Sequence, residues 1–244
     1  MLDNHITYET TYAVQQYATL TELQAPERAI LDIVRLALPQ SRMLDLGVGG
    51  GRTTVHFAPH AAAYVGADYS AAMIDACHQR FGGERYRFEI ADARALPFDE
   101  ASFDFVLFSY NGIDYVPHDD RRLVLAEVRR VLRDGGRFAF STHNLANAPT
   151  LLSWRPSIRP RATLRRWKLR RVNPSLRELR SRDWAVLQDG ALHGGLETHY
   201  VRREEQLRQL ATAGFGATLV FQLDGKAARE RATDPWLYYL CTKT

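Results

Sequence analysis

Short apolar runs alternate along the 244-residue chain with segments whose apolar residues recur every three or four positions. Met43-Leu44-Asp45-Leu46 reads as a strand running into the turn Gly47-Val48-Gly49-Gly50-Gly51. Residues 64–68, 86–93, 103–108 and 137–141 repeat the strand pattern. Between them the spacing predicts helices. One covers 26–38, opened by Pro26 and striped by Ile30, Ile33, Val34, Ala37 and Leu38. A second follows the glycine turn over 52–57, and a third, capped by Ser70, covers 71–81 with Met73, Ile74, Cys77 and Phe81 turned inward. A fourth runs from Asp119-Asp120 to Arg133. Strand and helix in regular alternation predict a parallel sheet covered by helices.

The alternation breaks at residue 145. The 52 residues from 145 to 196 are too many for an unstructured connection inside one domain, so they predict an inserted helical cap. Type returns afterwards. Thr198 to Arg202 leads into a helix around 204–213, closed by Gly214, and strands follow at 217–222 and 236–242. Residues 1–25 are polar and carry Tyr8, Tyr12 and Tyr17 near one helical face. That face packs on the domain surface or covers a site. The expected organisation is a leading segment 1–25, a core of 26–144 plus 197–244, and a cap 145–196.

Candidate chemistry concentrates at the ends of the first three strands, which carry Asp45, Asp68 and Asp92. Alternating glycines at 47, 49 and 51 let a ligand lie against main chain. Asp68, 17 positions after Gly51, stands where an acid accepts hydrogen bonds from ribose hydroxyls. These residues resemble the class I S-adenosylmethionine-dependent methyltransferases over roughly 26–144 and 197–243. Asp45-x-Gly47-x-Gly49-x-Gly51 is similar to the family's first motif, Asp68 to its ribose acid, and Asp92-Ala93 to its adenine-recognising pair. Leu132-Arg133-Asp134-Gly135-Gly136-Arg137-Phe138 is similar to its turn before strand five. Asp134 stands where the family commonly has proline, and Asp-Gly-Gly also turns.

The resemblance implies an α/β, Rossmann-like doubly wound sheet of seven strands, ordered 3-2-1-4-5-7-6 with the last antiparallel. It implies S-adenosylmethionine as cofactor and S-adenosylhomocysteine as product. Asp45, Gly47, Gly49, Gly51, Asp68, Tyr69, Met73, Asp92, Ala93 and Ser109 are the expected cofactor residues. In this reading Asp45 balances the ammonium of the methionyl tail, directly or through water, and the helix after the turn favours its carboxylate. Met73 either touches adenine or packs the core. The leading segment becomes a lid, with Tyr8, Tyr12 and Tyr17 toward substrate.

The polar connection Ser109 to His118 and the strand end Thr142-His143-Asn144 are expected to border the transfer site, with Asn111 and Asn144 contacting substrate. If the acceptor keeps its proton, His143 is the preferred general base, followed by His118, Asp114 and Tyr110; otherwise these are wall residues. Glycine N-methyltransferase-like members carry arginine where His143 stands, so amino acid methylation is not implied.

Charge sharpens the reading of the cap. From Thr150 to Asp183 eleven basic residues face two acids, +9 in a chain whose total is +4, so the remainder sums to −5. Such a segment is a solvated face or steers an anionic partner. The leading expectation is therefore methylation at N, O or C of a small molecule, anionic or carrier-linked. An RNA methyltransferase using the basic cap and a non-catalytic cofactor-binding regulator are the alternatives. No secretory signal, membrane-spanning run or metal-ligating cluster is visible, and Cys77 and Cys241 read as reduced fillers, so the expected setting is cytoplasmic. Oligomeric state is left open.

Overall fold

The computed structural model describes residues 21–82, 85–153, 160–189 and 197–244. The leading tyrosines Tyr8, Tyr12 and Tyr17 lie outside them. Strands β1 (Arg42–Leu46), β2 (Ala63–Asp68), β3 (Arg87–Ile90), β4 (Phe103–Phe108) and β5 (Leu132–Asn144) pair in parallel in the order 3-2-1-4-5. β9 (Trp236–Lys243) lies antiparallel to β5 and to β8 (Phe215–Phe221). Counting core strands alone, the order is the expected 3-2-1-4-5-7-6 with the last strand antiparallel.

Period-two alternation splits the strands between two apolar layers. Leu44, Leu46, Val106, Phe108, Phe138 and Phe140 face α4 (Arg121–Val131) and α8 (Arg203–Thr212) through Val124, Val128, Val131 and Leu210. Met43, Phe105, Leu107 and Ala139 face α1 (Ala25–Val34) and α3 (Ala71–Phe81) through Ile30, Val34, Ile74 and Cys77. Both faces are covered, which is why these strands read as near-continuous apolar runs.

Several boundaries differ from expectation. The first helix stops at Val34, and Leu38–Gln40 forms a separate 3-10 turn around Pro39, because proline disfavours helix at the residue before it. After the glycine turn only α2 (Thr54–Phe57) is helical, too short to gather a row of free amides. The expected turn before strand five is absorbed into β5: Leu132 pairs with Phe103 and Arg137 with Phe105, and the extra residues bulge at Gly135, where φ is +73°.

The segment after β5 is only partly helical. It holds α5 (Ala148–Leu151), α6 (Pro160–Val172), α7 (Leu176–Arg180) and β6 (Trp184–Gln188), which pairs antiparallel with β7 (Glu197–Val201). β7 then extends the end of β5 through His143–Tyr200 and Asn144–Val201, adding two strands to the core seven. Leu145, Leu152, Leu169, Leu179, Leu187 and Tyr200 give this region an apolar cluster of its own.

Candidate functional site

A cavity of about 660 Å³ opens at the carboxyl ends of β1 to β4, within the size range of small-molecule sites. Gly47 to Gly50 form its floor; Asp68, Tyr69 and Met73 one flank; Ile90 to Arg94 another; and Phe108 to Tyr110, Gly112 and Tyr115 to Pro117 the opposite wall.

The glycine turn is held from behind. Cys77 Sγ donates to Gly49 O at 3.0 Å and Arg80 Nη1 to Gly50 O at 2.8 Å, so α3 fixes the carbonyls, while Val48 N donates to Ala67 O and Gly51 N to Val48 O, both at 3.0 Å. Gly49 adopts φ +52°, and a Cβ built there meets nothing within 4 Å. Gly51 has a different role: it is not on the cavity wall, and a Cβ there, at φ +78°, would stand 2.2 Å from Phe81 Cε2. Gly47 likewise backs onto Phe108. Of the alternating glycines, Gly49 is the one whose missing side chain opens space for a ligand.

Asp68 is tied to this turn. Its Oδ2 accepts from Gly49 N at 2.9 Å and its Oδ1 from Ser70 N at 3.0 Å. Burial pushes its carboxyl above the ordinary value and the amides partly offset that; lone pairs remain on both oxygens for a ligand's hydroxyls. Met73 is buried and also reaches the wall, so it packs and lines at once.

Asp92 carries a cation that local spacing did not flag. Arg94 donates Nε to Asp92 Oδ1 and Oδ2 at 3.0 Å and Nη2 to Oδ2 at 2.6 Å, while its Nη1 reaches Asp120 at 2.8 Å. These hydrogen bonds hold the Asp92 carboxyl below its usual value. Arg94 itself stands on the wall beside Ala93.

Asp45 does not reach the cavity directly. It is fully buried off the cavity wall, and its Oδ2 accepts from Thr53 Oγ1 at 2.5 Å and Tyr64 OH at 2.8 Å. Alternation along β1 puts it on the face of Met43, behind the turn rather than at its tip. Burial pushes its pKa up to about 6, against the opposing pull of the two hydroxyls. Thr53 does line the cavity, so its hydroxyl links Asp45 to the wall.

The wall toward β4 rests on a buried ion pair. Arg52 donates to Glu27 at 2.5 and 2.6 Å, Ser109 Oγ donates to Glu27, and Tyr238 OH donates to it at 3.0 Å. Burial would raise the Glu27 carboxyl, but the guanidinium outweighs it and the group stays below its usual value. Arg52 Cζ also lies 4.8 Å from the centre of the Tyr110 ring. Tyr110 and Asn111 both adopt positive φ, 56° and 63°, a conformation that costs a non-glycine residue roughly 1–3 kcal/mol. Asn111 N donating to Ser141 Oγ at 2.7 Å helps hold it, and the bend turns Tyr110 into the cavity.

The expected general bases lie elsewhere. Asp114 is buried and accepts from Arg121 Nη1 at 2.9 Å, Thr142 Oγ1, and His143 N at 2.7 Å; His143 Nδ1 lies 2.7 Å from it as well. His143 packs against Tyr200 and Trp236, and neither it nor Asp114 lines the cavity. Asn111 and Asn144 are off the wall too; Asn144 donates to Ala232 O at 2.9 Å and its carboxamide oxygen caps the turn at Ala146. His118 stacks on Trp184 at 3.5 Å and its Nδ1 lies 2.9 Å from His199 Nε2, joining the cavity-wall loop to the β6–β7 ribbon. Of the four candidates only Tyr110 borders the cavity. Among the described residues no group of three or more metal-ligating side chains occurs, and no helix is long and apolar enough to cross a membrane.

Comparison with known proteins matches residues 43–136 to the methyltransferase-domain family. The phthiotriol/phenolphthiotriol dimycocerosates methyltransferase of Mycobacterium leprae is 32% identical over 165 residues, 65% of this chain and 54% of that one. The demethylmenaquinone methyltransferase of Clavibacter sepedonicus is 40% identical over 105 residues, 41% of this chain and 42% of that one. The chain thus spans about half the length of these relatives. In fold, it is similar to the Burkholderia thailandensis 1,6-didemethyltoxoflavin-N1-methyltransferase solved with bound 1,6-didemethyltoxoflavin and S-adenosylhomocysteine: TM-score 0.58, 19% identity, 99% of this chain and 86% of that one. Residues 43–136 thus form a methyltransferase domain, and the strand order and the glycine turn that faces Asp68 agree with the fold of the class I S-adenosylmethionine-dependent methyltransferases.

Proposed function

We propose that this protein is an S-adenosylmethionine-dependent methyltransferase acting on a small, largely apolar and uncharged acceptor. The observation that carries the reading is the Gly49–Asp68 pair: an acid fixed at 2.9 Å to a turn whose main chain faces open cavity. A Cβ at position 49 would project into that space, as expected of a cradle for a nucleoside. When bound, the cofactor supplies a sulfonium methyl group as the electrophile.

In this reading Asp68 accepts from the ribose hydroxyls, Asp92 and Ala93 meet the adenine edge, and Thr53, polarised by Asp45, meets the amino acid tail. Phe108, Tyr110, Tyr115, Val116 and Pro117 form an apolar wall that excludes water and orients the acceptor. Orientation alone lowers such barriers by up to roughly 7–11 kcal/mol. Both cations on the described wall, Arg52 and Arg94, are already paired with carboxylates, which favours a neutral acceptor over an anionic one. The names of the mycobacterial and Clavibacter relatives agree with an apolar acceptor. Tyr110 is the candidate proton acceptor where the nucleophile needs one, and the lid and cap assignments of residues 1–25 and 145–196 belong to the same proposal.

The test is calorimetric titration with S-adenosylhomocysteine, then labelled-methyl transfer across a panel of apolar hydroxylated and quinol-like acceptors. Hydrogen bonds to a charged group are each worth about 1.5–3 kcal/mol, so Asp68→Ala should weaken binding by about a hundredfold. An unchanged dissociation constant in the folded variant would overturn the assignment.

A further inference from the structure

The +9 segment carries a surface that the cavity does not use. Helix α6 (Pro160–Val172) contains six basic residues and no acid. It is anchored through Leu169, which is 8% exposed and packs into the apolar cluster beside β6 and β7. At 100° per residue, Leu164, Trp167, Lys168 and Arg171 share the opposite, outward side. There Leu164 is 53% and Trp167 52% exposed. Arg171 Cζ lies 4.1 Å from the centre of the Trp167 ring, so cation and aromatic form one outward-facing unit. Solvated charge alone does not require a half-exposed tryptophan and leucine on that surface.

We infer that the outward face of α6 docks on an anionic lipid surface, with Trp167 and Leu164 entering the headgroup boundary and the surrounding cations meeting lipid phosphates. The chemistry of the face separates the candidate occupants. A second copy of the chain would set this wholly positive helix against its own kind, a repulsive arrangement. A nucleic acid would use the cations and stack on Trp167 but gain nothing from the half-exposed leucine. A bilayer interface satisfies both halves: basic side chains gain from negative headgroups and tryptophan prefers that depth. The helix is about 20 Å long, shorter than the roughly 30 Å hydrocarbon layer, so contact is confined to the headgroup boundary, where Trp167 and Leu164 enter. The inference goes beyond the proposed reaction and stands independently of it.

The experiment is flotation of the full chain with vesicles of phosphatidylcholine alone or mixed with phosphatidylglycerol, with homopolymeric RNA tested in parallel. The expected result is association with the phosphatidylglycerol vesicles and little with the neutral ones. The Leu164→Ala/Trp167→Ala double variant keeps every charge and should lose about tenfold in vesicle affinity, with its melting temperature and S-adenosylhomocysteine affinity unchanged. Lys168→Gln/Arg171→Gln, which keeps both apolar anchors, should weaken association and flatten its salt dependence. Three outcomes overturn the inference: no association with anionic vesicles, association that the double alanine variant leaves intact, or binding confined to RNA.

Discussion

Gly49 and Gly51 sit two residues apart in one turn, both at positive φ, and the structure assigns them separate consequences when each becomes alanine. At Gly51 the left-handed backbone costs alanine roughly 1–2 kcal/mol. Its methyl would also meet Phe81 Cε2 at 2.2 Å and Cζ at 2.9 Å. Phe81 has little freedom to withdraw, because the Arg80 guanidinium covers its ring at 5.1 Å and Phe88 stacks on it at 5.8 Å. Overpacking of this kind adds about 1–3 kcal/mol, so Gly51→Ala should destabilise the fold by roughly 2–5 kcal/mol. At about 2–4 °C per kcal/mol for a chain of this size, the melting temperature should fall by ~4–20 °C. Gly49→Ala carries only the backbone term, ~2–8 °C on the same scale, but its methyl enters the cavity beside the amide that binds Asp68. It should therefore abolish most S-adenosylhomocysteine binding. Thermal melts and calorimetry on the two variants measure both quantities. The reverse pattern, Gly51→Ala stable but unable to bind and Gly49→Ala binding normally, would refute the reasoning.

Asp45 and the Asp114 cluster give further tests. Since the Asp45 pKa is raised from 3.8 to about 6, the folded state holds more protons than the unfolded one between these values. Its contribution to stability is fully present below about pH 4 and is lost as pH rises through about 6, a change of about 3 kcal/mol. Asp45→Asn keeps one oxygen for Thr53 and Tyr64, and should erase that part of the wild-type slope in urea titrations run across this window; a parallel slope would refute it. Asp114→Ala strands the buried Arg121 guanidinium and should cost about 3–5 kcal/mol, measured by the same titration. His143→Ala should lower stability yet keep S-adenosylhomocysteine affinity and the single-turnover rate within about threefold. A rate loss of about 10²–10⁴-fold at intact affinity would instead return His143 to the role of base.

Strand alternation, helical stripes and the three acids at strand ends were legible in the chain, because strand and helix periods are local properties and the carboxyl ends of parallel strands share one edge. The sheet order came from the motif resemblance. What local spacing does not encode is which polar group meets which partner across long separations. Glu27 and Ser109 are 82 positions apart, and Asp114 meets His143 across 29. Tertiary packing alone placed Asp45 behind the turn, where burial and two hydroxyls hold it, and tied His143 to Asp114 off the cavity. It also put Phe81 against Gly51, so that a glycine suited by its type to ligand approach serves instead to admit an aromatic ring. The β6–β7 ribbon was hidden for the same reason: each strand is short and its pairing partner is supplied by distant chain. Sequence periodicity determined the frame and the edge on which the site forms, and desolvation together with long-range hydrogen bonding decided which of its polar side chains face the cavity.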